Sequence, residues 1–112
     1  MVYGSVNYKG YTREEAFESV GNGWSTLINE VFDVLETIKG TVKIVQVKEK
    51  FGGLRIYTDV LNKELDTVIQ KVGRESFTIC EECGNSGELR SGAWHKTLCD
   101  EHAGGREPIN PF

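Results

Sequence analysis

Three cysteines and a histidine near the C-terminus have side chains that bind metal ions, and they occur as two pairs, Cys80 with Cys83 and Cys99 with His102. Two residues lie within each pair, and fifteen lie between Cys83 and Cys99. Two such pairs joined by a short loop can surround one ion tetrahedrally, with Zn–S distances of about 2.3 Å. The spacing therefore predicts a structural zinc site. Because four protein ligands leave no position open for water, a catalytic zinc is disfavoured.

Two alternatives compete with this assignment. Two of the cysteines could form a disulfide in a secreted protein, but the chain does not begin with a basic region followed by an apolar one, as a signal peptide would. We therefore expect reduced thiols and a cytoplasmic protein. His95 could replace His102 as the fourth ligand, but it has no cysteine partner at the spacing of Cys99 and His102.

The length and the charge of the chain narrow the classes of function further. A chain of 112 residues supports one small core, which a bound metal would help to stabilise. The net charge is −4, and residues 74–112 contain four basic residues against seven acidic ones. Because Lys and Arg must neutralise phosphates in a nucleic-acid complex, we expect no duplex DNA binding through this segment. No segment has the roughly 20 apolar residues of a membrane span, so we expect a soluble protein.

Three segments have the apolar spacing and the capping residues of helices. Thr12 and Glu15 form a capping-box pattern that opens a helix ending near Val20, before Gly21-Asn22-Gly23. A second helix would end at Lys39-Gly40, and its apolar stripe consists of Trp24, Ile28, Val31, Leu35 and Ile38. A third helix would be capped by Asn62, and its apolar positions would be Leu61, Leu65, Val68, Ile69 and Val72.

Between the second and third helices, over residues 41–58, the apolar period changes from 3.6 to 2, which indicates two β-strands. We expect Gly52-Gly53 to be the turn, because glycine tolerates positive φ, and this turn would pair Phe51 with Leu54. The resulting apolar face would consist of Val45, Val47, Phe51, Leu54 and Ile56. The opposite, polar face would consist of Gln46, Lys48, Lys50, Arg55 and Tyr57. Glu49 would be the one charged residue on the apolar face.

The polar face of this hairpin is a candidate ligand-binding surface. Lys50 would lie opposite Arg55 and Lys48 opposite Tyr57, so that like charges meet at a cost of up to about 1 kcal/mol. A phosphate or a carboxylate bound among Lys48, Lys50 and Arg55, beside Tyr57, would relieve this repulsion. The alternative is a solvated strand face whose lysines only discourage aggregation.

The metal-binding segment has the order of parts of a treble-clef zinc finger. Those parts are a zinc knuckle over residues 83–87, a small hairpin over residues 88–98 and a helical turn that begins at Cys99. Gly104-Gly105 and Pro108 would shorten the usual final helix. We thus predict an α+β fold, with helices packed on a small antiparallel β-sheet and a C-terminal treble-clef-like zinc module. Residues 1–79 would form the core domain, and residues 80–112 would form the zinc module and an irregular tail packed on that core.

Three motifs resemble those of a family of short proteins of bacteriophages and bacterial genomes. They are Lys48-Glu49-Lys50-Phe51-Gly52-Gly53-Leu54-Arg55-Ile56-Tyr57, Cys80-Glu81-Glu82-Cys83-Gly84 and, after Trp94, Thr97-Leu98-Cys99-Asp100-Glu101-His102. The resemblance covers roughly residues 24–103. It implies a phage or prophage origin and action in the cytoplasm of a bacterial host, and it implies no particular activity or substrate.

The favoured function is that of a non-catalytic, zinc-stabilised binding protein that inhibits or modulates host machinery. It would act either by docking on a host protein or by sequestering an anionic nucleotide signal. For docking, the predicted surface is acidic and consists of Glu81, Glu82, Asp100 and Glu101. A homodimer is also considered, with contacts through Tyr3, Tyr8, Tyr11 and Pro111-Phe112.

Two other classes of function stay open. In a nucleic-acid-binding zinc-finger adaptor, the basic hairpin would contact phosphates, and Trp94 or Tyr57 would stack on single-stranded bases. In a small hydrolase or nuclease, His95 would form an acid–base pair with Glu88 or Asp100. The chain contains no HExxH, GxSxG or P-loop motif, which disfavours this enzyme class.

Overall fold

The computed structural model of this protein describes residues 10–38 and 42–109. Tyr3, Tyr8, Lys39-Gly40 and Pro111-Phe112, for which we made predictions, lie outside these ranges. The elements, in chain order, are α1 (Arg13–Ser19), α2 (Ser25–Thr37), β1 (Ile44–Lys50), β2 (Gly53–Thr58), α3 (Lys63–Glu75), β3 (Glu88–Arg90) and β4 (Lys96–Leu98). Single turns of 3-10 helix occur at Asn22–Trp24, Ser76–Thr78 and Asp100–His102.

The three helices and two small antiparallel sheets of the described residues confirm the predicted α+β fold. One sheet pairs β1 with β2, and the other pairs β3 with β4. The C-terminal part brings Cys80, Cys83, Cys99 and His102 into a zinc-binding arrangement, as predicted. None of the helices within the described ranges is long and apolar enough to cross a membrane.

Side-chain caps start two of the helices at the predicted residues. The Thr12 hydroxyl accepts a hydrogen bond from the Glu15 N–H at 3.1 Å, and the Glu15 carboxylate accepts one from the Thr12 N–H at 2.9 Å. The Asn62 side chain accepts a hydrogen bond from the Leu65 N–H at 3.0 Å and begins α3 in the same way. Each cap satisfies a backbone donor that has no partner within its helix.

The hydrophobic core lies between the three helices and the inner face of the β1–β2 hairpin. Its fully buried members include Trp24, Ile28, Val31, Leu65 and Val72, as the helix patterns predict. The prediction for Leu61 is wrong, because this side chain is 89% exposed. Leu61 precedes the cap of α3 and therefore does not share the apolar stripe of that helix.

The register of the β1–β2 hairpin differs from the prediction: each β1 residue from Gln46 to Lys50 pairs with a β2 residue two positions earlier than predicted. Phe51 and Gly52, not Gly52 and Gly53, form the turn, with φ of 54° and 84°. Lys50 therefore pairs with Gly53, and the predicted pairing of Phe51 with Leu54 is wrong. Further pairs of this register are Gln46 with Tyr57, Val47 with Ile56, Lys48 with Arg55 and Glu49 with Leu54.

Contacts distant in sequence explain this register. A Cβ atom on Gly53 would lie 2.5 Å from Cζ of Phe77, so the second glycine makes room for an aromatic ring within the strand. Gly52 has positive φ, and its N–H donates to the Glu49 carboxylate at 2.7 Å. Glu49 thus faces inward and stabilises the turn, whereas Phe51 is 61% exposed and does not belong to the apolar face.

An irregularity at the start of β1 changes which residue there faces the core, so the predicted inward position of Val45 is wrong. The register shifts between Ile44 and Gln46, which is the mark of a β-bulge. Ile44 is consequently buried in the core, while Val45 is only half-buried. The prediction placed Val45 inward because it extended strict alternation through this bulge.

The metal-binding segment is seated directly on the core. The Gly23 N–H donates to the Glu81 carbonyl oxygen at 2.8 Å, and the Trp24 indole N–H donates to the Ile79 carbonyl oxygen at 2.9 Å. A Cβ atom on Gly23 would lie 1.9 Å from the Cys80 carbonyl oxygen, so only glycine permits this approach. The chain before α2 and residues 80–84 therefore pack backbone against backbone.

The Gly53→Ala substitution tests the explanation of the hairpin register. Its added methyl group would collide with the Phe77 ring, and we expect the free energy of unfolding to fall by about 1–3 kcal/mol. Gly73→Ala is the matched control. Gly73 lies in α3, and a Cβ atom on it would make an ordinary contact with the Leu54 carbonyl oxygen, at 3.5 Å. We expect the control to be neutral or slightly stabilising. Urea denaturation measures both effects, and a Gly53→Ala protein as stable as the control would contradict the explanation.

Candidate metal centre

Four potential ligand atoms converge where the knuckle meets the last helical turn. The Sγ atoms of Cys80, Cys83 and Cys99 and a ring nitrogen of His102 all lie within 4.8 Å of one another. The His102 Nδ1 atom is 3.2 Å from the Cys99 Sγ and 3.7 Å from the Cys80 Sγ. The Sγ atoms of Cys83 and Cys99 are 3.7 Å apart. His95 is not a member of this cluster.

The ligand separations fit a tetrahedral ion. Zn–S distances of about 2.3 Å in a tetrahedron place two sulfur atoms about 3.8 Å apart, close to the separation of Cys83 and Cys99. A disulfide would instead require about 2.05 Å, and all three cysteines are free thiols. The cluster could therefore hold one metal ion through Cys80, Cys83, Cys99 and His102.

The local backbone stabilises the thiolate form of Cys80. Burial raises the pKa of this thiol, but hydrogen bonds from the N–H groups of Cys99, Cys83 and Glu82 outweigh burial and lower its pKa to about 7. Gly84, with φ of 84°, allows the chain to turn tightly just after Cys83. A hydrogen bond to Cys99 and, to a smaller extent, one to Cys80 raise the pKa of the His102 imidazole. Protons thus compete with a metal ion at these ligands.

Arg90 holds together the elements around the cluster. Its buried guanidinium donates to the Leu98 carbonyl oxygen at 2.9 Å, to the Arg106 carbonyl oxygen at 3.2 Å and to the Asp100 carboxylate at 2.8 Å. Glu88 also approaches it, at 4.0 Å. The two carboxylates considered as partners of His95 therefore both contact Arg90.

The predicted acidic docking surface is smaller in the structure. Glu81 is only 5% exposed, and its carboxylate accepts hydrogen bonds from the Thr97 N–H at 3.1 Å and from Lys96 at 3.4 Å. Burial raises the pKa of Glu81. Asp100 is exposed but pairs with Arg90, so Glu82 and Glu101 are the exposed members without an ion pair among the described residues.

The structure brings the predicted ligand-binding residues together on the outer face of the hairpin. Lys48 lies directly opposite Arg55, and its Nζ is 5.9 Å from the centre of the Tyr57 ring. Lys50 lies near the turn, with its Nζ 5.7 Å from the centre of the Phe51 ring. The predicted apposition of like charges therefore occurs between Lys48 and Arg55, whereas the predicted pairing of Lys50 with Arg55 is wrong.

A cleft of about 360 Å³ lies between β2 and α3. Residues that line it include Arg55, Ile56 and Tyr57 on the strand and Gln70, Gly73 and Arg74 on the helix. The sequence indicated Arg55 and Tyr57 through their strand face. It gave no signal for Gln70 and Arg74, because their position depends on how α3 packs against the hairpin.

This chain matches no protein-family model, no curated protein and no solved structure.

The ligand assignment predicts metal content residue by residue. We expect one ion per wild-type chain, and loss of that ion in Cys83→Ser and His102→Ala, because each removes one of four ligands. His95→Ala is the matched control and should keep the ion. Elemental analysis of protein dialysed against a weak chelator measures the content. A His95→Ala protein that lost the ion, or a His102→Ala protein that retained it, would contradict the assignment.

Metal affinity should also depend on pH. Below about pH 7 the Cys80 thiolate takes up a proton, and because the pKa of His102 is raised, its imidazole takes up a proton at a higher pH than a free imidazole would. We expect affinity to fall by about tenfold per pH unit for each proton that the metal displaces. Competition with a metal-binding dye from about pH 8 to about pH 5.5 measures this slope. An affinity independent of pH would mean that these side chains are not the ligands.

Proposed function

We propose that this protein is a non-catalytic, zinc-stabilised binding protein that captures an anionic ligand at the outer face of the β1–β2 hairpin. The resemblance to small phage and bacterial proteins supports the further proposal that it acts in a bacterial cytoplasm. There it would sequester an anionic nucleotide signal and so modulate host machinery.

Zinc is the proposed ion because of the donor set. Three thiolates and one imidazole are soft to borderline ligands, and their tetrahedral spacing suits zinc better than ions that prefer oxygen ligands. Four protein ligands complete the coordination of the ion, so its proposed role is to stabilise the fold. In zinc-finger peptides such ions contribute about 10–16 kcal/mol, which is large for a chain of this size.

The observation that supports anion capture most strongly is a group of neighbouring cations that have no carboxylate partner. Lys48, Lys50 and Arg55 form no ion pair with any carboxylate in residues 10–38 and 42–109. Four other cations in these ranges pair with carboxylates, namely Arg13, Lys71, Arg90 and Lys96, and four do not, namely Lys43, Lys63, Arg74 and Arg106. The hairpin group differs from the second four because its three cations lie on one strand face. The chain carries excess negative charge, yet it leaves the hairpin cations unneutralised. An anion could supply the charge that this face lacks.

Docking on a host protein through the acidic surface receives less support. That surface loses Glu81 to burial, and Asp100 is already paired with Arg90. Lys48, Lys50, Arg55 and Tyr57 all lie on the outer face of the hairpin. We therefore favour sequestration of a ligand over docking on a host protein.

Binding of single-stranded nucleic acid is a second candidate, because two exposed aromatic side chains lie on adjacent loops. Trp94 is 64% exposed and Phe51 is 61% exposed. Their loops are adjacent, because a Cβ atom on Gly52, the residue after Phe51, would lie 3.4 Å from the backbone of His95, the residue after Trp94. Such rings can stack on bases while nearby lysines contact phosphates. Binding of oligothymidylate that weakens steeply with added salt would favour this candidate.

Native mass spectrometry of protein freshly purified from bacterial cells tests the proposed function. We expect one zinc ion per chain and a retained small anion, or uptake of added pyrophosphate or ADP. In the double variant Lys50→Gln/Arg55→Gln the anion should be lost while the zinc remains, because the ligands of the ion are elsewhere.

Lys63→Gln is the control for this experiment. Lys63 also lacks a carboxylate partner among the described residues, but it lies outside the hairpin, at the start of α3. It should bind like the wild type. A wild-type protein that carries zinc but binds none of these anions would contradict the proposed function, as would equal loss of binding in the control.

A further inference from the structure

We infer that the cleft between β2 and α3 is a nucleotide site, in which Arg55 and Arg74 bind the phosphates and the backbone of Ile56 contacts the base. This inference rests on the proposed function and names the place and the chemical class of the ligand. Lys48 and Lys50 then attract the anion from the neighbouring face and do not hold it directly.

The charges lining the cleft support an anionic occupant. Arg55 lines the cleft from the strand and Arg74 lines it from the helix, so two arginines from different elements border the same cleft. Like Arg55, Arg74 forms no ion pair with a carboxylate among the described residues. Guanidinium groups bind phosphate oxygens through paired hydrogen bonds, and two of them can share one diphosphate.

The free edge of β2 provides the polar groups for a base. The Leu54 N–H points away from β1, because it donates to the Ser76 hydroxyl at 2.9 Å. Alternate residues of a strand direct their backbone groups to the same side, so the N–H and C=O of Ile56 also point away from β1. Ile56 lines the cleft. One donor and one acceptor on a single residue match the hydrogen-bonding edge of a planar base.

The size and the apolar wall of the cleft suit a nucleotide. Its volume of about 360 Å³ falls within the range of roughly 300–1,000 Å³ that is common for small-molecule sites. Ile69 and Phe77 contribute apolar surface next to the strand. Gly73 has no side chain and therefore keeps the helix wall of the cleft open.

The same strand edge is too short for an extended acidic peptide. Strand addition needs several successive backbone groups along the edge. On this edge the Leu54 N–H is already bound to the Ser76 hydroxyl, and β2 ends at Thr58. Ile56 and Thr58 are therefore the edge positions that remain, which favours a small ligand over a peptide.

Calorimetric titration of the zinc-loaded protein with ADP, GDP, CDP, UDP and pyrophosphate tests the inference. We expect at least one nucleoside diphosphate to bind about tenfold or more tightly than pyrophosphate, because pyrophosphate cannot use Ile56. Arg74→Gln should weaken nucleotide binding by at least about tenfold, since a charge-assisted bond to phosphate is lost. Gly73→Leu should abolish it by filling the cleft.

Lys63→Gln is the matched control, because it removes a cation at the start of α3 that lies outside the hairpin and does not line the cleft. It should bind nucleotide like the wild type. Zinc content and the unfolding midpoint of each variant establish that it is folded. Arg74 is exposed, so its substitution provides a second test if Gly73→Leu fails to fold.

Each contrary outcome has a distinct meaning. Binding of pyrophosphate but of no nucleotide, or nucleotide binding that Gly73→Leu and Arg74→Gln leave unchanged, would overturn the cleft assignment while anion capture remained supported. Binding of an oligoglutamate peptide in place of any nucleotide would overturn the choice of ligand. If no anion binds at all, both the inference and the proposed function are wrong.

Discussion

The close approach of Gly23 to the Cys80–Glu81 backbone is the contact on which most of this structure depends. No other residue type fits there, because a Cβ atom would lie 1.9 Å from the Cys80 carbonyl oxygen. The contact joins the metal cluster to the start of α2, where Trp24 enters the core. An ion bound by Cys80 would hold this segment in place and so stabilise residues far from its own ligands.

A second connection extends from the cluster to the hairpin and the cleft. The Thr97 hydroxyl donates to the Gly52 carbonyl oxygen at 2.7 Å, which fixes the hairpin turn against β4. Three positions before Cys80, the Phe77 ring packs on Gly53 and also lines the cleft. The proposed ligand site is therefore supported by the same segment that contains Cys80, although none of the four residues of the metal cluster lines the cleft.

Local sequence signals predicted the fold and the grouping of Cys80, Cys83, Cys99 and His102, because both depend on short-range spacing. The Thr12–Glu15 cap and the paired cysteines are examples. The hairpin register could not be predicted in this way, since the second glycine serves the distant Phe77 ring and not the turn. Burial of Glu81 and the presence of Arg55 and Arg74 in one cleft likewise depend on how separate elements pack.

Residue-resolved hydrogen exchange, with and without a zinc chelator, tests most directly whether the metal cluster stabilises the core. We predict that chelation accelerates exchange at Gly23 and Trp24 and at the hairpin turn, in addition to residues 80–102, because these segments share hydrogen bonds. Faster exchange confined to residues 80–102, with Gly23 and Trp24 unchanged, would contradict this claim.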